Sequence, residues 1–258
     1  MVLAAAALLC AAAPAGAEPG GRADVTATLT SQAPGTPTGL GVRVVFHAPG
    51  DPGAKPPALR TAVFELPSGL RFDSTAIPQC TASDAELHAF GSAACPADTE
   101  LTVGKLTAET GFGAPVDPLA GDDHVFNGPN QIIEVITAPG TPFSPGFDRL
   151  TISGSTLTAH PPATPGGPPD GQTAIRSIEF RIPVRAAGGK SLITTPPDCA
   201  ADGAWTSTGR FGFADGSQDT VTATTPCTPS AAPTSPPRQR RARRHRPRRH
   251  RAARRVAR

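Results

Sequence analysis

The stretch Leu59-Arg60-Thr61-Ala62-Val63-Phe64-Glu65-Leu66-Pro67 decides the fold class. Ala62, Phe64 and Leu66 fall on one side of an extended chain, and Thr61, Val63 and Glu65 on the other. That period of two is the mark of a half-buried strand. Pro67 stands where a strand can end without losing a ladder hydrogen bond. The pattern returns in Ile175-Arg176-Ser177-Ile178-Glu179-Phe180-Arg181-Ile182-Pro183, with Arg, Phe and Pro at matching positions. A duplicated domain would produce such an echo, and so would two strands obeying one alternation. The similarity is short, and the reading adopted is a single domain.

Outward from this stretch the same alternation recurs. Val25, Ala27 and Leu29 alternate with Thr26, Thr28 and Thr30, and Gly41 to His47 reads as a second strand. Further strands are expected at Glu100 to Thr107, Gln131 to Thr137, Leu150 to Leu157, Ile175 to Val184, Thr206 to Phe213 and Thr220 to Thr224. Loops dense in Pro and Gly separate them. One helical turn is expected over Ala82 to Phe90, opened by Ser83-Asp84-Ala85-Glu86. The fold class is therefore all-β: an antiparallel β-sandwich, Ig-like or jelly-roll-like, of about nine or ten strands.

The ends of the chain have other compositions. An apolar run from Val2 to Ala13, then Pro14 and Ala15-Gly16-Ala17, reads as a secretory signal peptide over residues 1–17. No Lys or Arg precedes the run, which leaves the start of the leader open. The run is too short to span a bilayer, which needs roughly 20 residues. Leu9 before Cys10 is too large for a lipoprotein cleavage site. Removal of the leader takes Cys10 and leaves Cys80, Cys95, Cys199 and Cys227. An even number in an exported chain points to disulfides with three possible connectivities. The sequential pairing, Cys80 with Cys95 and Cys199 with Cys227, is favoured. A zinc site needs closely spaced ligand pairs, and these cysteines have none.

Charge divides the rest. All 21 acids precede Arg238, with 12 of the 24 basic residues, for a formal charge of −9. The segment 238–258 holds Arg238, Arg240, Arg241, Arg243, Arg244, Arg246, Arg248, Arg249, Arg251, Arg254, Arg255 and Arg258, and no acid. Such a run of like charge is expected to be disordered. A Pro/Ser/Thr/Ala linker over 228–237 joins it to a β-domain over 18–227. Arginine clusters bind phosphates and carboxylates. For an exported chain the expected partner is an anionic cell-envelope polymer or lipid surface. Extracellular nucleic acid is an alternative polyanion, but no aromatic interleaves the arginines to stack on bases.

Leu66-Pro67-Ser68-Gly69-Leu70-Arg71-Phe72-Asp73, Ile77-Pro78-Gln79-Cys80, Cys95-Pro96-Ala97-Asp98 and Val103-Gly104 resemble a group of uncharacterised secreted proteins of GC-rich bacteria. Those share L-P-x-G-L-x-F, P-x-C, and C-P shortly before V-G. The resemblance implies an exported, cysteine-paired β-domain and no particular activity. The arginine tail departs from it, because no hydrophobic span precedes it.

Enzyme motifs are lacking: there is no G-x-S-x-G elbow, no H-E-x-x-H and no phosphate-cradling glycine loop. The one tempting constellation is Gly121-Asp122-Asp123-His124, whose carboxylates and imidazole could bind a metal or orient a base in a secreted hydrolase. Gly121-Asp122-Asp123 is also ordinary turn chemistry, and that reading is preferred. Asp215-Gly216-Ser217-Gln218-Asp219 opens like a calcium loop but lacks the later ligands, and is read as a hairpin turn. Trp205 is expected to pack on the Cys199 disulfide rather than bind sugar. No catalytic residue, cofactor, metal or small-molecule substrate is assigned. The reading is a non-enzymatic exported β-domain, without a membrane span in its mature form, held at an anionic surface by its tail.

Overall fold

Nearly every alternating segment becomes a wall strand of one sheet. The computed structural model describes residues 21–138 and 146–229. The expected signal peptide, most of the linker and the arginine tail lie outside the described residues. In chain order the strands are β1 (Ala23–Leu29), β2 (Leu40–Phe46), β3 (Leu59–Glu65), β4 (Arg71–Phe72), β5 (Glu100–Glu109), β6 (Leu119–Gly128), β7 (Gln131–Thr137) and β8 (Gly146–Ser153). They continue with β9 (Thr156–Ala159), β10 (Ala174–Ile182), β11 (Ala186–Ala187), β12 (Lys190–Ser191), β13 (Ile193–Thr194), β14 (Ala204–Phe213) and β15 (Gln218–Pro226). A short helix, α1 (Asp84–Phe90), follows β4.

Eleven strands form one antiparallel sheet in the order β1-β2-β10-β5-β6-β7-β8-β9-β3-β14-β15. The two edges, β1 and β15, lie side by side, so the sheet rolls into a nearly closed barrel. Side chains stitch this seam. The Asp219 carboxylate accepts from the backbone N–H of Arg22 at 2.6 Å and of Ala23 at 2.9 Å. Further along, the Thr225 hydroxyl donates to the Ala27 carbonyl at 3.1 Å.

The antiparallel all-β class therefore holds, and the sandwich gives way to a single rolled sheet. A barrel wall and a sandwich leaf show the same alternation, since both have one face in and one out. What selects the barrel is long-range pairing, β2 with β10 and β3 with β14. Inward glycines allow tight approach. A Cβ on Gly104 would stand 2.5 Å from the Glu179 carbonyl oxygen on β10. The two echoing segments are β3 and β10 of this one sheet, with Ala62, Leu66, Phe180 and Ile182 buried as their alternation requires. Outward rows carry Thr26, Arg43, Lys105, Glu179 and Arg210, which suit water rather than lipid.

Two local readings are corrected. The Gly121-Asp122-Asp123 segment is no turn but the middle of β6, paired on both sides with β5 and β7. Gly and Asp are poor strand formers, and two flanking ladders override them. Leu150 to Leu157 is the β8–β9 hairpin, bent at Gly154 with φ +62°. The Asp215–Asp219 segment is a hairpin turn as expected, with Gly216 at φ +81° between β14 and β15.

One end of the barrel is plugged. Leu66, Leu70, Leu192 and Ile193 are buried there, and the β4–β13 pair supports them. The Cys199–Cys227 disulfide lies beside this plug. Trp205 is buried in the same cluster and donates its indole N–H to the Asp198 carbonyl at 3.0 Å. The Cys80–Cys95 disulfide clips a second segment against the outside of the wall. There Ser83 and Glu86 form the capping box of α1, and Leu87 drops onto Phe126, Ile133 and Val135. Strand β7 is thus covered on both faces, which explains its almost continuous apolar run.

The seam makes a direct prediction. Replacing Asp219 by Ala strips an acceptor from two backbone N–H groups, one belonging to the buried Ala23. It should lower stability by about 2 kcal/mol, while Asn, which keeps an acceptor oxygen, should cost less. Chemical denaturation of the variants measures both.

Candidate functional site

The inward rows of the barrel do not meet at its centre. They enclose a cavity of about 610 Å³. Its walls are mainly aliphatic or Phe: Val42 and Val44 from β2, Leu106 and Ala108 from β5, Ile178 and Phe180 from β10, among others. The end opposite the plug is the mouth, rimmed by segments 110–119 and 160–173. Asp117 organises the first of these. Its carboxylate accepts from the Thr110 N–H and hydroxyl and from the N–H groups of Gly111 and Gly113, at 2.6 to 2.9 Å. Burial pushes this carboxyl up, but the four donors outweigh it and hold it below the usual carboxylate range. Phe112, on the same loop, lines the rim yet is 62% exposed.

Three acids interrupt the apolar interior, one on each of three neighbouring strands. Asp123 of β6 shares its inward row with Gly121, and Glu134 of β7 and Asp148 of β8 line the cavity. Glu134 and Asp148 are direct cross-strand partners, a relation that places their Cβ atoms about 5 Å apart. Asp123 is fully buried, and neither of its carboxylate oxygens has a hydrogen-bond partner. Burial raises its pKa from 3.8 to about 7. Burial also lifts Glu134 well above the usual range, and the charges of Asp123 and Asp148 lift it further. Asp148 is raised by burial as well, against the opposing pull of the Arg149 and His160 backbone N–H groups and the His160 ring.

Asp122, Asp123 and His124 do not form a site. Adjacent strand residues point to opposite faces, so Asp123 turns into the barrel while its two neighbours face out. Asp122 pairs with Lys105 at 2.5 Å, and His124 with Glu100 at 2.7 Å. Among the described residues no group of three His, Cys, Asp or Glu side chains is placed to hold a metal ion. The twelve tail arginines lie outside the described residues. Glu134 and Asp148 were not singled out by the sequence reading. The available signal was Ile132-Ile133-Glu134-Val135-Ile136, a charge inside an apolar strand. Asp148 follows a segment in which no strand was expected, and had no such context.

No family model, curated protein or solved structure matches the chain.

The buried acids make stability depend on pH in a defined sense. Between about pH 4 and 7 the native state keeps a proton on Asp123 that the unfolded chain has released, so stability falls as pH rises through that window. Asp123→Asn removes the penalty. Its melting temperature should exceed wild type above pH 7, by the equivalent of roughly 4 kcal/mol, and match it near pH 4. Thermal melts across pH 4–8 report the outcome.

Proposed function

We propose that this domain is a non-enzymatic binding protein that takes an apolar small molecule into the barrel lumen. The observation that carries the reading is the cavity of about 610 Å³ walled by aliphatic and Phe rows. Ligand pockets commonly measure about 300–1,000 Å³. Protein interiors otherwise pack to crystal-like density, and an unfilled apolar void forfeits dispersion contacts. A wall of hydrogen-bonded ladders, plugged at one end and clipped by a disulfide, is a preformed container with a mouth at the other end.

Export and retention belong to the same proposal. Two disulfides fit an oxidising compartment. Among the described residues no helix is long and apolar enough to cross a membrane. The charge split, −9 before Arg238 and twelve arginines from Arg238 onward, supports electrostatic retention at an anionic wall polymer or lipid surface. The resemblance to exported β-domain proteins of GC-rich bacteria points the same way. The hydrolase alternative loses its motivation, because its three residues are split between two faces of the wall.

The neutral dye Nile red should bind saturably, at about one molecule per chain, with increased emission. Ala108→Trp and Val42→Phe, which fill the lumen from two sides, should each weaken uptake by tenfold or more while leaving the melting temperature within a few degrees. Undiminished uptake by both folded variants would rule out the lumen as the site. For the tail, a chain ending at Pro237 should fail to bind purified cell envelopes that hold the full chain at low salt and release it at high salt. Equal retention of both chains would remove the tail from the function.

A further inference from the structure

We propose that the ligand of the lumen is an amphipathic amine, with an apolar body against the barrel rows and a protonated amine head between Glu134 and Asp148. The inference rests on the lumen reading and adds the chemistry of the ligand's polar end.

Among the described residues lining the cavity, Glu134 and Asp148 are the charged ones; none is Lys, Arg or His. They face each other across the β7–β8 ladder. The lining itself therefore contributes charge of one sign only, and a low-dielectric wall strengthens its field. A carboxylate ligand would be repelled, and an uncharged one would leave the acids uncompensated.

A second observation is independent of the pair. Asp123, on the inward row of the adjoining strand, is 0% exposed, and both its oxygens lack a hydrogen-bond partner. Buried polar groups in native proteins are rarely left in this state. Among the described residues Asn127 Oδ1 alone shares it, and other acids of the chain find partners. Asp117 collects four donors, and Glu109 pairs with Arg176 at 3.0 Å. The barrel supplies partners for these acids, whereas Asp123 has none and Asp148 has the Arg149 N–H and the neighbouring His160, which is not part of the cavity lining.

The fold does not ask for acids here. Glu134 sits between Ile132-Ile133 and Val135-Ile136 on a strand covered on both faces, where an aliphatic side chain would pack at no electrostatic cost. An ammonium head brings one positive charge and up to three donors into this cluster. A neutral hydroxyl brings one donor and no charge. The apolar body then packs against the aliphatic and Phe rows that line the lumen.

A matched series tests the head group at constant chain length: decylamine, decanol and decanoate, each below its aggregation concentration, titrated calorimetrically into the full chain at pH 7.5. Decylamine should bind at least tenfold more tightly than decanol, and decanoate most weakly. Glu134→Gln combined with Asp148→Asn should erase the amine preference while leaving decanol affinity within about twofold. Asp98→Asn, which neutralises an exposed acid, should change nothing. An amine no tighter than the alcohol on wild type overturns the proposal, and so does a preference that survives the double variant. A loss with Asp98→Asn as large as with the lumen variants also overturns it, since binding is then adsorption to the acidic surface. Should the double variant fail to fold, the wild-type series alone decides. Failure of all three ligands together with Nile red removes the lumen reading itself. Binding of decanol and Nile red without an amine preference removes the head-group assignment alone.

Discussion

Closure of the sheet is the constraint on which the rest depends. Eleven antiparallel strands leave two unpaired edges, and β1 and β15 meet to hide them. The seam is held by the Asp219 carboxylate and the Thr225 hydroxyl rather than by a continuous ladder. Because the sheet is rolled, each strand's alternation separates an inside from an outside. Thr, Arg, Lys and Glu go out, and Val, Leu, Ile and Phe go in. A rolled sheet of this many strands encloses more space than side chains of ordinary size can fill. The cavity follows from strand number and closure, and any ligand chemistry follows from what stands on the inward rows.

The position of the acids depends on a second layer. The Cys80–Cys95 clip holds α1 and Leu87 over Phe126, Ile133 and Val135, on the outer face of β6 and β7. Those strands are shut off from water on the outside by this satellite core and on the inside by the lumen. Asp123 and Glu134 therefore lie in the driest part of the wall, and burial dominates their proton affinity. Asp117 shows the contrast within one chain. It is an acid at the rim whose four donors overcome its burial. One side-chain type thus plays two parts, a loop clasp at the mouth and an uncompensated charge within.

Local patterns transmitted most of the secondary structure. Ala62-x-Phe64-x-Leu66 and Ile178-x-Phe180-x-Ile182 read correctly as inward rows, Ser83 and Glu86 as a helix start, and Asp215-Gly216 as a hairpin turn. These are short-range effects: side-chain alternation, capping bonds and positive-φ glycine act within a few residues. The misreading of Asp122, Asp123 and His124 has the opposite origin. In isolation Gly-Asp-Asp favours a turn, and the strand forms because β5 and β7 flank it. Once it is a strand, the trio that looked like a site separates, and only Asp123 enters the interior.

By itself the sequence determined the all-β class, the likeness of the strands to one another, an even set of four cysteines and the charge division at Arg238. Each of these is written in neighbouring residues, in residue spacing or in composition. The tertiary structure decided that the sheet closes rather than stacks, that a cavity results, and that Asp123, Glu134 and Asp148 share one interior. The physical reason is that alternation specifies which side of a strand is buried and not what lies opposite it. That is set by pairings between segments over a hundred residues apart, such as β2 with β10 and β3 with β14.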